Sequence, residues 1–282
     1  MAFKTLIDAD SLQNLLAKPG LAVVDCRFDL MQPEAGRQAY LTAHIPGARY
    51  ADLNRHLSAP IGPRSGRHPL PSPEAFARHL SHLGIGNETQ VVAYDEANGS
   101  VAARLWWMLR WLGHGAVAVL DGGFKAWTAH GGALLAGEPA SPRVERFTPV
   151  VDPEAVVTTA ELERLLLDSK TVLVDARAPE RYAGTVEPID PVAGHIPGAM
   201  NHPFSANLGP DGRLLSAAEL ERRWRGRLAG RDPENLVAMC GSGVTACHNL
   251  LSLEVAGLPG GKLYAGSWSE WIRDPRRPVA RD

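Results

Sequence analysis

The segment around Cys240 holds the residue types best suited to chemistry in this chain. Cys240 ends an apolar strand pattern and is followed at once by a short loop and an apolar helical pattern. Gly241 and Gly243 let the loop turn its N–H groups inward, and N–H groups converging at a helix start stabilise an anion. A thiolate held there is a nucleophile that could carry sulfur as a persulfide, with the Ser242 and Thr245 hydroxyls as further donors. We predict a catalytic loop made of Cys240, Gly241, Ser242, Gly243, Val244 and Thr245.

The elements that must position this loop occur twice in the chain. The sequence His-Ile-Pro-Gly-Ala begins at His44 and again at His195. Each copy follows an apolar strand that ends in an acid, and each precedes a second apolar strand and a Gly…Trp pair. Such matching landmarks in the same order indicate a tandem duplication with a period near half the chain, hence two domains.

Short β-branched runs alternate with longer helical patterns in each half. This alternation predicts an α/β fold in which each half is a parallel sheet flanked by helices, with strand-to-helix turns at the carboxyl edge where ligands bind. The predicted strands are 21–25, 91–94, 116–120, 172–175, 236–239 and 262–264. The predicted helices are 10–18, 73–83, 101–112, 159–168, 217–228 and 244–256.

Prolines mark the junction between the halves. They cluster between Gly137 and Pro153, where they block both helix and central strand. We therefore predict an N-terminal domain over residues 1–136, an extended linker over 137–153 and a C-terminal domain over 154–282.

The duplication provides an internal comparison for the candidate nucleophile. A free cysteine is most often a buried, unreactive residue. The position equivalent to Cys240 in the first half is Asp95, so the fold does not require a cysteine there. This comparison favours a catalytic second half and an inactive first half. Cys247 lies two helical turns after Cys240 and is expected to pack in the core.

Composition excludes several partners. The net charge of −2 over 282 residues gives no reason to expect nucleic acid or an anionic membrane as a partner. The N-terminal residues lack the apolar run of a secretory signal, no stretch is long enough to span a bilayer, and three cysteines cannot form a disulfide framework. We expect a cytoplasmic protein without a cofactor, and without a metal site because no Cys/His pairs have ligand spacing.

The chain resembles the tandem rhodanese-like sulfurtransferases over essentially its whole length. The resemblance is carried by the two His-Ile-Pro-Gly-Ala copies, by residues 91–95, 104–109 and 120–123, and most specifically by residues 240–246. It implies two tandem rhodanese-like domains, an inactive first one, and a persulfide carried by Cys240. Gly-Ser-Gly after the cysteine is typical of the mercaptopyruvate enzymes, whereas the thiosulfate enzymes typically have basic residues there. The resemblance thus favours 3-mercaptopyruvate as donor and a thiol, thioredoxin or cyanide as acceptor, with thiosulfate as the alternative donor.

The resemblance also implies substrate-binding residues. Arg181 matches a family arginine that binds the substrate carboxylate, a suitable task for a permanently charged fork. A second family arginine lies nine positions later, where this chain has Asp190, whose charge would repel either donor. Arg64 or Arg67 could supply the missing cation.

His68 is the second predicted substrate-site residue. It matches the histidine of a serine–histidine–acid relay beside the cysteine, in which Ser242 matches the serine. The acid position falls near Asp52 and Asn54, and the alignment places Asn54 on it, so the partner of His68 stays open.

Two other classes of function are consistent with parts of the pattern. A phosphatase with this type of loop needs an arginine about six residues after the cysteine, where the chain has Ala246. A non-catalytic rhodanese-like binding module would have lost the cysteine or the glycines, and neither is lost. A sulfurtransferase is therefore the predicted function.

Overall fold

The structure, a computed structural model, describes residues 2–282 and divides into two compact units. The first unit comprises the chain up to Ala59 together with Pro71–Asp152 and Gly209–Leu214. The second comprises Pro60–Leu70, Pro153–Leu208 and Leu215–Asp282.

The first unit contains a five-stranded parallel sheet flanked by helices. The strands are β1 (Leu6–Ile7), β2 (Leu21–Asp25), β3 (Arg49–Tyr50), β4 (Gln90–Tyr94) and β5 (Val117–Leu120), in the order β1-β5-β4-β2-β3. The helices are α1 (Ala9–Leu15), α2 (Ala35–Thr42), α3 (Pro73–His82), α4 (Ala102–Trp111) and α5 (Gly123–Ala129).

The second unit repeats this arrangement. Its strands are β6 (Val156–Val157), β7 (Val172–Asp175), β8 (Met200–Asn201), β9 (Leu236–Met239) and β10 (Lys262–Tyr264), in the order β6-β10-β9-β7-β8. Its helices are α6 (Thr159–Leu165), α7 (Pro179–Ala183), α8 (Ala217–Leu228), α9 (Thr245–Val255) and α10 (Ser267–Trp271), and 3₁₀ turns lie at Pro153–Ala155, Phe204–Asn207 and Pro233–Asn235.

Each sheet has a fully covered centre. Every residue of β9 is buried, as are the last four residues of β4, which is the pattern expected of parallel strands with helices packed over them. The two sheets have the same strand order, so the duplication read from the sequence is a duplication of fold. The predicted α/β architecture is confirmed.

The six predicted strands and six predicted helices are all present, with ends shifted by a few residues. The sequence did not predict the edge strands β1, β3, β6 and β8, which are two residues long. A pair of residues carries no measurable periodicity, so pairing with a neighbouring strand alone defines such elements.

Two segments fold with the unit of the other half. Pro60–Leu70 belongs to the second unit and Gly209–Leu214 to the first. Prolines at 60, 63 and 69 keep the former irregular, and it contains neither helix nor strand. Because of this exchange, residues 60–70 contribute side chains to the sheet edge where Cys240 lies.

The predicted linker region is irregular but ordered by contacts. Residues 137–152 contain no helix or strand and belong to the first unit. Phe147 is buried, and the N–H groups of Val150 and Asp152 donate to the carbonyls of Leu112 and Trp111.

The repeated histidines have matching structural contacts. Nδ1 of His44 lies 2.9 Å from the Tyr40 carbonyl oxygen and Nδ1 of His195 lies 2.9 Å from that of Tyr182. Each imidazole also stacks on the ring of the same tyrosine. The histidines therefore fix a turn in both units.

Candidate active site

Cys240 lies directly after β9, in a loop held by the start of α10. Its N–H donates to Ser267 Oγ (3.1 Å), and its carbonyl accepts from the Trp268 N–H (3.0 Å). The carbonyl of Gly241 likewise accepts from Ser269 (2.9 Å). These bonds fix the backbone on both sides of the thiol, which is 2% exposed.

The loop turns one N–H group toward the sulfur. The Gly243 N–H donates to Cys240 Sγ at 3.2 Å. Gly243 has φ +76°, and a Cβ there would lie 2.5 Å from the Ala265 carbonyl oxygen, so no other residue fits without displacing that backbone. In the part of the chain that the structure describes, the N–H groups of Val244 and Thr245 at the start of α9 have no protein acceptor.

The first unit shows what the equivalent turn holds when the cysteine is absent. Asp95 follows β4 as Cys240 follows β9, and it is 4% exposed. Its carboxylate accepts the N–H groups of Gly99 (2.9 Å), Val101 (2.8 Å) and Ala102 (3.1 Å). An anion thus occupies this turn in the first unit, bound by backbone donors, so the turn is suited to a negative charge in both halves.

The other two cysteines lie in different surroundings. Cys26 is fully buried, and this burial raises the pKa of its thiol well above the ordinary value. Cys247 is also fully buried and its thiol donates to the Gly243 carbonyl at 3.3 Å.

The structure brings His68 to the loop. His68 Nδ1 and Ser242 Oγ are 2.7 Å apart, and both residues are buried. The donor of this hydrogen bond depends on which ring nitrogen carries the proton, so the pair can pass a proton in either direction. Asp52 Oδ1 accepts the N–H groups of Asn54 and Arg55, which caps its own turn.

Arg181 on α7 reaches the same loop. A Cβ on Gly241 would lie 3.6 Å from Arg181 Nη1 and 3.7 Å from Nη2. The other side of the guanidinium makes a two-pronged pair with Glu187, through Nε at 3.1 Å and Nη2 at 2.8 Å. Burial tends to raise the pKa of Glu187, but bonds from Arg181 and from the Asp190 and Ile189 N–H groups hold it below its ordinary value.

The expectation that Asp190 repels the donor is not supported by its contacts. Its carboxylate lies 2.6 Å from Arg67 Nη1 and 3.0 Å from Arg181 Nη2, and its side chain is 3% exposed. Two guanidinium groups therefore neutralise this charge before any donor arrives. Arg67 also approaches the loop, because its Nη2 would lie 3.1 Å from a Cβ on Gly241. Arg64 is exposed and makes no such contact.

The charged groups beside the loop form one balanced set. Arg177 pairs with Asp175 at 2.6 Å and reaches Glu187 at 3.5 Å, which links it to the two arginines over Gly241. Three guanidinium groups thus face three carboxylates, with formal net charge zero. We call this set the arginine–carboxylate cluster; its members are Arg67, Arg177, Arg181, Asp175, Glu187 and Asp190.

Sequence reasoning missed Ser267 and Glu187. Ser267 adopts φ +53° and accepts the Cys240 N–H. Its place directly after a strand and a glycine was the sequence signal that could have identified it. Glu187 lies six residues after Arg181 in an irregular loop, and no local pattern announces their pairing.

Among residues 2–282, no group of three or more His, Cys, Asp and Glu side chains is arranged to hold a metal ion. Within the same residues, no helix combines the length and apolar character needed to cross a bilayer.

This arrangement is suited to moving an atom that bears negative charge. The sulfur of Cys240 accepts the Gly243 N–H at the start of a helix, the Ser242–His68 pair lies two residues further along the loop, and two guanidinium groups approach Gly241. Backbone donors aimed at one sulfur stabilise a thiolate or a terminal persulfide sulfur. The guanidinium groups can bind a small carboxylate or oxyanion beside it.

The chain is similar to known proteins over nearly its whole length. The Rhodanese-like domain family matches residues 8–130 and 158–274. A Pseudomonas aeruginosa protein named "Probable 3-mercaptopyruvate sulfurtransferase" is 51% identical over 282 residues, covering 99% of each chain. The thiosulfate sulfurtransferase of Cricetulus griseus is 37% identical, covering 94% of this chain and 89% of that one. The solved 3-mercaptopyruvate sulfurtransferase from Leishmania major superposes with a TM-score of 0.85 at 33% identity, covering 96% of this chain and 76% of that one.

Proposed function

Because the chain belongs to the rhodanese-like family and is a sulfurtransferase, we propose that it takes sulfur from 3-mercaptopyruvate and carries it as a persulfide on Cys240. The observation that carries the proposal is the position of the Cys240 sulfur, 3.2 Å from the Gly243 N–H in a loop approached by Arg181. One group of this site stabilises the sulfur anion and another binds a carboxylate.

In the first half-reaction the Cys240 thiolate attacks the thiol sulfur of 3-mercaptopyruvate. The new S–S bond forms as the C–S bond breaks, and the electron pair of that bond leaves on the pyruvate enolate. The thiol proton passes to the enolate carbon, which yields pyruvate and leaves Cys240 as the persulfide anion. Ser242 and His68 are suited to carry this proton, since their hydrogen bond can be made with either partner as donor.

In the second half-reaction a nucleophilic acceptor attacks the outer sulfur. The S–S bond breaks, the acceptor takes the sulfur, and the electron pair returns to Cys240 as the thiolate. A thiol gives a persulfide and cyanide gives thiocyanate. The same N–H groups stabilise the thiolate that leaves in this step.

Charge balance favours 3-mercaptopyruvate as donor. The arginine–carboxylate cluster is formally neutral, so a monoanionic donor brings one uncompensated charge to this part-buried place and thiosulfate brings two. An additional unpaired charge in such surroundings is costly. Thiosulfate is the second candidate, because two guanidinium groups reach Gly241 and could share a dianion.

Mass spectrometry of the protein after treatment with 3-mercaptopyruvate tests the persulfide. We expect one additional sulfur on Cys240, its removal by cyanide or a thiol, and none on Cys26 or Cys247. Cys240→Ser should abolish both loading and turnover, because a hydroxyl in the same loop is not ionised at neutral pH. Cys247→Ser is the matched control and should load normally, because a hydroxyl there can still donate to the Gly243 carbonyl as the thiol does.

The donor is tested by comparing kcat/KM for 3-mercaptopyruvate and thiosulfate under the same conditions. A higher value for thiosulfate would overturn the donor assignment and leave the persulfide standing. Turnover by Cys240→Ser, or sulfur found on another cysteine, would overturn the mechanism itself.

A further inference from the structure

Arg67 presents an unused nitrogen to the same point as Arg181. Its Nη1 is bound to Asp190, while Nη2 has no protein acceptor within residues 2–282 and is the atom nearest to Gly241. Arg181 is arranged in the same way: Nε and Nη2 bind acids, and Nη1, also without a protein acceptor there, is its atom nearest to Gly241. Two nitrogens that can donate thus converge beside Gly241, the residue after Cys240.

We propose that Arg67 is a second residue that binds the donor carboxylate, and that Asp190 is a positioning residue that holds Arg67 and Arg181 over Gly241. This inference rests on the proposed function, since it assigns the carboxylate of that donor. A carboxylate has two oxygens, so Arg67 Nη2 and Arg181 Nη1 can each donate to one of them. The thiol sulfur of the bound donor is then directed toward Cys240, which is adjacent to Gly241 in the sequence.

The position of Asp190 explains why an acid belongs in an anion-binding site. Each of its carboxylate oxygens accepts from a different arginine, Oδ1 from Arg67 and Oδ2 from Arg181. Two guanidinium groups facing one ligand repel each other, and the acid between them removes that repulsion. It also restricts both long side chains to a single orientation, which lowers the entropy lost on binding.

The backbone around Arg67 is fixed independently of any ligand. The Arg67 N–H donates to Ser269 Oγ (2.9 Å) and the Gly66 N–H to Glu270 Oε2 (3.3 Å). A Cβ on Gly66 would lie 2.5 Å from the Gly266 carbonyl oxygen, so the segment packs directly on the turn before α10. That same turn carries Ser267, which holds the Cys240 N–H. The backbones of Arg67 and Cys240 are therefore both held by serine side chains at the start of α10.

A pair of donors that differ only in the carboxylate tests the assignment. Mercaptoacetone is 3-mercaptopyruvate with a methyl group in place of the carboxylate, so the C–S bond to be broken is retained. Arg67→Gln should lower kcat/KM for 3-mercaptopyruvate by about 10- to 100-fold, mainly through KM, since a charge-assisted hydrogen bond is lost. It should leave kcat/KM for mercaptoacetone within about 3-fold of the unmodified protein. Arg64→Gln, an exposed arginine of the same segment, is the matched control and should change neither value.

The variant Asp190→Asn tests whether Asp190 positions the two arginines or repels the donor carboxylate. An amide can accept from one arginine but presents an N–H₂ group to the other, so we expect KM for 3-mercaptopyruvate to rise while kcat and the values for mercaptoacetone stay close to those of the unmodified protein. A purely structural role would impair both donors equally, and a repulsive role would lower KM for 3-mercaptopyruvate. Either result would overturn the assignment of Asp190.

The outcomes distinguish this inference from the proposed function. If the unmodified protein does not transfer sulfur from 3-mercaptopyruvate, the proposed function fails. If it does, and Arg67→Gln has an unchanged KM or impairs both donors to the same extent, only the role of Arg67 fails. Thermal unfolding of each variant checks that the fold is retained.

Discussion

Two glycines at opposite ends of α9 allow the strain of the Cys240 loop to be measured. Gly243 (φ +76°) precedes the helix and Gly257 (φ +72°) follows it, so an alanine at either position pays the same left-handed backbone penalty. That penalty is about 1–2 kcal/mol, reduced by about 0.4–1 kcal/mol because alanine restricts the unfolded chain. A Cβ at Gly257 meets nothing within 4 Å, whereas at Gly243 it lies 2.5 Å from the Ala265 carbonyl oxygen.

Gly243→Ala should therefore destabilise the protein more than Gly257→Ala. Overpacking against a fixed group typically costs about 1–3 kcal/mol, so the loss at Gly243 should exceed the loss at Gly257, which is at most roughly 1.5 kcal/mol, by about that amount. The clash also pushes on the backbone two residues before Ser267, which holds the Cys240 N–H. Because one misplaced anion donor typically costs about 10²–10³-fold in rate, we expect persulfide formation to slow by at least about 10-fold in Gly243→Ala alone.

Urea unfolding and single-turnover loading with 3-mercaptopyruvate measure these two effects. Gly257→Ala is exposed and distant from the loop, so it should load at the unmodified rate. Equal losses of unfolding free energy in both variants would refute the clash. A normal loading rate in a folded Gly243→Ala protein would refute the requirement for this N–H geometry at the sulfur.

Further predictions concern Arg181, which we propose binds the donor, and the thiols. Arg181→Ala should raise KM for 3-mercaptopyruvate about 10- to 100-fold with little change in kcat, and steady-state kinetics showing an unchanged KM would remove Arg181 from donor binding. The lowered pKa of Glu187 means that its charged form stabilises the fold above the ordinary carboxyl pKa and that this contribution is lost as pH falls through the lowered value. The destabilisation caused by Arg181→Ala, measured by urea unfolding, should therefore be larger at neutral pH than in acid. Iodoacetamide should alkylate Cys240 before Cys26, whose pKa is raised by burial, and before Cys247, because Cys240, although 2% exposed, is the thiol that the proposed reaction requires a donor to reach. Peptide mapping that finds either of the other two labelled first would contradict this.

The sequence was sufficient for features that depend on neighbouring residues. The loop after Cys240 could be read because its two glycines, its cysteine and the following helix are contiguous. The duplicated α/β architecture could be read because apolar runs and strand-to-helix alternation are local patterns that occur twice. The sequence also showed that the fold does not require a cysteine at this position, since Asp95 occupies the position of Cys240 in the other half.

The sequence was not sufficient for features that depend on which segments meet. The alignment identified Asp190 as an acid where a cation was expected, and it offered Arg64 and Arg67 as substitutes without deciding between them. Arg67 and Asp190 are 123 positions apart, and they meet because residues 60–70 fold with the second unit. Arg64 and Arg67 are only three positions apart in an irregular segment, yet Arg64 is exposed and Arg67 pairs with the buried Asp190.

The pairing of Asp190 could not be predicted for a physical reason. The sequence specifies the charge of a side chain, whereas the effect of that charge depends on its distance from other charges and on its burial. A sequence states that Asp190 carries a negative charge, and from that alone repulsion of an anionic donor is the reasonable expectation. In the folded protein the same charge lies within 3.0 Å of two guanidinium groups, and at such separations pairing outweighs any longer-range effect. The residue types at this site can be read from the sequence, whereas the pairing of Asp190 with two guanidinium groups is seen only in the tertiary structure.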